Sequence, residues 1–122
     1  MSTAVFPGSF DPVTTGHVDL IRRASRMFDR LVVGVLVNSA KQPLFSKEER
    51  VAMLREITAD QDNIEVSSFE GLLVDFVKEQ HADAIVRGLR TPGDFEYELP
   101  LAQANHKLSV QADTIFLASA PE

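Results

Sequence analysis

A chain of 122 residues, 44% apolar and 25% charged, has the make-up of a single soluble globular domain, with enough length for one core but not two. A formal net charge of −6 gives no basis for general affinity toward nucleic acid or acidic membranes, so an anionic ligand would need a local basic site. The absence of cysteine excludes disulfides, thiolate metal sites and cysteine nucleophiles. No apolar run has the length of a membrane span and no basic-then-apolar leader opens the chain, so a cytoplasmic protein is expected.

Strand-like and helix-like patterns alternate from end to end. Residues 3–6 read as a short buried strand. Residues 16–28 read as a helix with Val18, Ile21, Ala24 and Phe28 inward. The β-branched run 31–37 marks a strand covered on both faces. Ser46-Lys47-Glu48-Glu49 is a capping-box pattern that opens a helix to about Thr58, with Val51, Leu54 and Ile57 inward. A third strand is expected at 64–67, a helix at 71–80 and a fourth strand at 84–86. A helix follows at 92–108, with a kink or restart near Glu98 because of Pro100, and a fifth strand at 114–117. The alternation implies an α/β, doubly wound, five-stranded parallel sheet in the order 3-2-1-4-5, with helices on both faces. Ligands of such sheets bind beyond the carboxyl ends of the strands at the switch point, here between strands one and four.

The two loops at that switch point are chemically loaded. In the first, Gly8 permits close backbone approach, Ser9 offers a hydroxyl, and Asp11-Pro12 is turn chemistry. Thr14, Thr15 or Gly16 could cap the next helix, which places His17 in a first turn where free N–H groups attract anions. The alternative is an ordinary turn with a surface histidine. The loop is neither a Walker sequence nor a dinucleotide Gly-x-Gly-x-x-Gly fingerprint. In the second loop, Arg87 and Arg90 flank Gly88-Leu89, and two guanidiniums can grip two phosphoryl groups; the alternative is a strand exit paired with Asp94 or Glu96. Lys41 after strand two reads, alone, as a solvated surface lysine. Asp94, Glu96 and Glu98 read as a solvated acidic face, or Glu98 faces a ribose or base.

Gly8-Ser9-Phe10-Asp11-Pro12-Val13-Thr14-Thr15-Gly16-His17 resembles the (T/S)-F-D-P-x-x-x-G-H signature of the nucleotidyltransferase superfamily. Arg87-Gly88-Leu89-Arg90 followed by Asp94-Phe95-Glu96-Tyr97-Glu98 resembles the R-G-(L/I)-R-x-x-x-D-(F/Y)-E-Y-E block of the bacterial phosphopantetheine adenylyltransferase family. Asn38-Ser39-Ala40-Lys41, Phe45, Glu48-Glu49-Arg50 and Asn105-His106 match the same family. The resemblance implies adenylyl transfer from ATP to 4′-phosphopantetheine, with Mg²⁺ as cofactor and His17, Lys41 and Arg90 as catalytic groups. It implies ATP contacts at Ser9, Phe10, His17, Gly88, Leu89, Arg90 and Glu98, and acceptor contacts at Ser9, Lys41, Leu73 and Arg87. No protein-held metal is expected. A homohexamer and feedback inhibition by coenzyme A are implied too. By the same resemblance, residues 1–122 form one nucleotidyltransferase domain lacking the family's C-terminal helical segment, which carries a serine-rich phosphate-binding run. A relative using CTP or another phosphate acceptor, or a weakly catalytic nucleotide- or coenzyme-binding module, are the competing expectations.

Overall fold

The structure is a computed structural model that describes residues 1–38, 40, 42–108 and 112–120. Its elements in chain order are β1 (Thr3–Gly8), α1 (Thr15–Ser25), β2 (Arg30–Leu36), α2 (Lys47–Ile57), β3 (Ile64–Phe69), α3 (Leu73–Glu79), β4 (Ala84–Leu89), α4 (Pro92–Leu108) and β5 (Asp113–Ala118). The sheet has five strands in the order β3-β2-β1-β4-β5, all neighbours parallel. The expected winding is therefore the observed one.

Successive strand residues point to opposite faces, so each apolar run feeds two cores. Ala4, Phe6, Leu31, Val33, Val35, Ala84 and Val86 pack with Leu20, Ile21 and Ala24 of α1 and Leu54 of α2. Val5, Val32 and Ile85 face the other way, onto Phe76 and Val77 of α3. Gly34 lies on that second face. A Cβ there would come within 2.7 Å of the Phe76 ring, which is stacked on Phe69 with centroids 4.5 Å apart. The lack of a side chain at Gly34 is what lets this aromatic pair lie flat on the sheet.

Several elements differ in extent from the expectation. Helix α1 stops at Ser25, and Phe28 reaches the core from the turn that follows. Its inward face centres on Leu20, Ile21 and Ala24, with Val18 only half-buried. Helix α3 starts at Leu73 because Gly71 has φ +88 and Leu72 is still extended. Helix α4 does not restart near Glu98: it runs through Pro100, an exposed position where the carbonyl left without a donor faces water. Strands β1 and β4 continue to Gly8 and Leu89, one or more residues beyond their apolar runs, because ladder pairing on one side carries them on.

Candidate functional site

The two central strands part company before they end. β1 pairs with β2 along its whole length, Thr3 to Gly8, but with β4 only at Ala4↔Ala84 and Val5↔Ile85. Beyond Val5 the β1–β4 ladder stops, which opens a crevice at the carboxyl ends of the two strands. Pro7 lies on its β1 side, where a missing N–H leaves no ladder bond unmade. Arg87 bridges the opening: its Nη1 donates to the Pro7 carbonyl at 3.0 Å. The Arg87 Nε donates to both Glu98 carboxylate oxygens at 3.2 Å, and Nη2 donates to Oε1 as well.

Two of the expected binders are thus partners of each other. Glu98 is the one buried residue of α4, and Arg87 meets it rather than Asp94 or Glu96. The acidic stretch does not form one face. Glu96 is exposed, while Asp94 closes a capping arrangement in which its carboxylate accepts the N–H of Arg90 (2.9 Å) and Thr91 (3.2 Å) and its own N–H donates to the Thr91 hydroxyl. The separation along the helix explains the division: Asp94 sits at the third helical position, beside the cap, and Glu98 lies one turn on, under the helix and over β4.

The first loop is organised by its own capping box. Thr14 is the N-cap of α1; its hydroxyl accepts the His17 N–H at 3.2 Å, and its N–H donates to His17 Nδ1 at 3.1 Å. An acceptor at Nδ1 puts the proton of the neutral ring on Nε2. Burial, then the nearby Arg90 and Arg87 guanidiniums, hold the imidazole pKa below its usual value. His17 therefore stands as a neutral ring whose remaining nitrogen is a donor. The Arg87 bond to the Pro7 carbonyl brings the ends of the two strands that carry these loops together. Edge-on to this ring, with centroids 5.0 Å apart, lies Phe10. Phe10 is 2% exposed and belongs to the first core, where its ring supports His17. It holds φ +49, and a Cβ on Gly8 would come within 3.0 Å of its ring. Gly8 is bare because Phe10 folds back over it.

The other expected residues are placed as follows. Ser9 is exposed at the end of β1. Arg90 extends into solvent with its side chain 80% exposed, its Nε 3.8 Å from Asp94. Gly88 and Leu89 are β4 residues paired with Leu117 and Ala118, and a Cβ on Gly88 would come within 2.4 Å of Leu20 Cδ1, so this glycine seats α1 on the sheet. Leu73 is half-buried at the start of α3, packed with Leu36 of β2 against the second core. Lys41 lies outside the described residues.

Two residues do more than the sequence reading gave them. Asp11 is not merely a turn residue: its carboxylate accepts the N–H groups of Leu44 (2.8 Å) and Phe45 (2.9 Å) and ties the first loop to the segment before α2. Arg50, inside a helix expected to bury only apolar groups, is itself buried. Its position four residues before inward Leu54 and seven before Ile57 was the available signal, since that places it on the same helix face.

A family model described as cytidylyltransferase-like matches residues 5–122. A phosphopantetheine adenylyltransferase of Caldanaerobacter subterraneus subsp. tengcongensis is 52% identical over 122 residues, all of this chain and 76% of the relative. One of Clostridium novyi is 53% identical over 117 residues, 96% of this chain and 73% of the relative. Among solved structures, a lipopolysaccharide core biosynthesis protein from Thermoplasma volcanium superposes with a TM-score of 0.73 at 22% identity, covering 99% of each chain. A pantothenate synthetase from Thermus thermophilus gives 0.72 at 12% identity, covering 100% of this chain and 57% of that one; likenesses at such identities show the shared fold. With the signature loop on β1, the arginine loop on β4 and full-length identity above one half, the chain belongs to the phosphopantetheine adenylyltransferase family of cytidylyltransferase-like nucleotidyltransferases.

Proposed function

We propose that the protein transfers the adenylyl group of ATP to 4′-phosphopantetheine, giving dephospho-coenzyme A and pyrophosphate. The observation that carries this reading is the anchoring of His17: in the first turn of α1 its Nδ1 accepts the Thr14 N–H, which leaves Nε2 as the donor of the neutral ring beside the β1–β4 opening that Arg87 bridges. The nucleophile is a phosphate oxygen that is already anionic, so the reaction needs no general base. Its oxygen bonds to the α-phosphorus as the bond from that phosphorus to the bridging oxygen breaks, and pyrophosphate leaves with the electron pair. The obstacle is repulsion between anions. What helps is a set of fixed donors and positive charges where charge accumulates in the transition state.

In this reading the His17 Nε2–H and the free N–H groups of the α1 N-terminus stabilise the α-phosphoryl oxygens. The Ser9 hydroxyl and the Phe10 backbone hold the phosphates nearby. Arg90, tethered by its backbone but with a free-standing guanidinium, follows the departing pyrophosphate. Lys41 and Arg87 take the acceptor phosphate, with Leu73 along its pantetheine arm. Gly88, Leu89 and Glu98 line the nucleotide. Arg87 and Glu98 satisfy one another without ligand and would each give up part of that bond on binding, so neither charge waits bare. As for Mg²⁺, no group of three or more His, Asp or Glu among the described residues could hold an ion. Asp94 and Glu98, the carboxylates beside the arginine loop, are already bonded. The described residues thus do not fit a resident metal, and we place Mg²⁺ on the phosphates of ATP, with no step assigned to it.

Pyrophosphate release with ATP, Mg²⁺ and 4′-phosphopantetheine tests the reading. Release confined to CTP or to another phosphate acceptor would replace it with a related transfer, and nucleotide binding without release would replace it with a binding module. Residence in the cytoplasm, a homohexamer and inhibition by coenzyme A belong to the same proposal; fractionation, sedimentation and product-inhibition kinetics address them. No helix among the described residues is long and apolar enough to cross a membrane.

A further inference from the structure

Arg50 is the one buried cation among the described residues, 4% exposed, and none of their carboxylates pairs with it. Three carbonyls from three segments hold it instead. Nη1 donates to Ser9 O at 3.1 Å and to Leu36 O at 3.2 Å, and Nε donates to Ser46 O at 3.4 Å. A latch of opposite polarity joins two of these segments, with Asp11 accepting the N–H groups of Leu44 and Phe45. A buried guanidinium without a counter-ion costs stability that an apolar side chain of similar volume would not, so packing alone does not account for it.

The bond to Ser9 has a directional consequence. The Ser9 C=O and the Phe10 N–H belong to one peptide unit, and this unit is trans, so the two groups point opposite ways. Arg50 sits on α2, which packs on β2 and β3, across β1 from β4. Turning the Ser9 carbonyl toward Arg50 therefore turns the Phe10 N–H toward β4 and the crevice. Among the described residues no acceptor takes that N–H. Phe10 pays for the orientation with φ +49, a conformation unfavourable for a bulky residue, which needs to be held from outside.

We propose that Arg50 is a positioning residue: it turns the Ser9–Phe10 peptide so that the Phe10 N–H meets the transferring phosphoryl group and the Ser9 carbonyl is withdrawn from it. The step served is the adenylyl transfer proposed above, and the inference rests on that reading. In Arg50→Met the side chain stays buried and apolar but the carbonyl loses its anchor. The expected result is a kcat lower by about ten- to a hundredfold with the KM for ATP changed by less than about threefold, because the loss is of alignment rather than of a ground-state contact. Arg50→Lys, which keeps a donor, recovers part of the loss. Arg55→Met, on the same helix but bonded only to the Val66 carbonyl, leaves kcat unchanged.

A second readout does not depend on turnover. Titration with AMP, which carries the phosphoryl group that is transferred, followed by amide NMR, moves the Phe10 resonance in the wild-type protein; the movement is reduced in Arg50→Lys and lost in Arg50→Met. A silent Phe10 amide in the wild type, an unaltered kcat in Arg50→Met, or a kcat that falls only in step with the folded fraction overturns the proposal. If Arg50→Met does not fold, the wild-type and Arg50→Lys titrations decide it. If the wild type releases no pyrophosphate, the adenylyl-transfer reading fails, while the Phe10 titration still reports on what Arg50 orients.

Discussion

The N-termini of α1 and α4 follow the two strands that border the crevice, and both are closed by a threonine and the residue three places on. At α4 that residue is Asp94, at α1 it is His17. The geometry is the same and the electrostatics are opposite. Asp94 places a carboxylate on the positive end of its helix and neutralises it. A neutral imidazole satisfies the cap without adding negative charge, so the positive end of α1 stays available. Each of the other three helices has an acidic residue in its first turn: Glu48 and Glu49 in α2, Asp75 in α3 and Asp94 in α4. Helix α1 has none. One backbone motif thus neutralises the positive end of its helix or leaves it uncompensated, through the choice of a single acceptor.

His17→Glu breaks the comparison most sharply. Glutamate is the ordinary third residue of a capping box, so thermal stability should be kept within about 0.5 kcal/mol of the wild type. A carboxylate among the phosphates should lower kcat by at least about a thousandfold. Loss of folding together with activity, seen by circular dichroism, would show that His17 serves mainly the helix. His17→Ala removes the donor without adding charge, and a fall in kcat of about a hundred- to a thousandfold is expected, larger than the loss in ATP affinity by calorimetry. Equal losses in both would place His17 in ground-state binding.

The two caps themselves give the next, smaller contrast. Thr14→Ala and Thr91→Ala should each cost about 1 kcal/mol in urea unfolding. Only Thr14→Ala should also depress kcat, because losing the hydroxyl that accepts the His17 N–H loosens the turn from which the Thr14 N–H holds the His17 ring; matching kinetics for the two variants would remove that distinction.

The smallest effect is in pH dependence. Protonation of His17 at Nδ1 would break its bond from the Thr14 N–H, and the folded state holds the group neutral to a lower pH than the unfolded chain does. The unfolded chain thus takes up its proton first as pH falls. The contribution of His17 to stability is fully present above the unfolded value of about 6.5 and is lost as pH falls below it. An NMR titration should find the His17 midpoint below that of an unhindered histidine, and Arg90→Ala should move it upward by relieving repulsion. No movement in Arg90→Ala would mean that the two loops do not face each other in solution.

What the sequence determined by itself is what short-range pattern controls. Continuous β-branched runs of the β2 type are characteristic of strands covered on both faces, and their alternation with amphipathic helices leaves few windings other than 3-2-1-4-5. The same logic placed Gly8–His17 and Arg87–Arg90 at the switch point, and the Ser46–Glu49 cap was readable because a capping box spans only four residues. The tertiary structure alone decided who pairs with whom over long separations. Arg87 could be seen as a cation at a strand exit, but its union with Glu98 and Pro7 depends on how α4 lies over β4 and on where the β1–β4 ladder ends. Asp11 and Arg50 were invisible as organisers because each acts on backbone groups of another loop, and hydrogen bonds to backbone carry no side-chain signature. The motif marks Phe10 as a phosphate neighbour; packing shows its ring in the core. Side-chain pattern reports burial, whereas direction is set by the peptide planes that the assembled strands and helices hold in place.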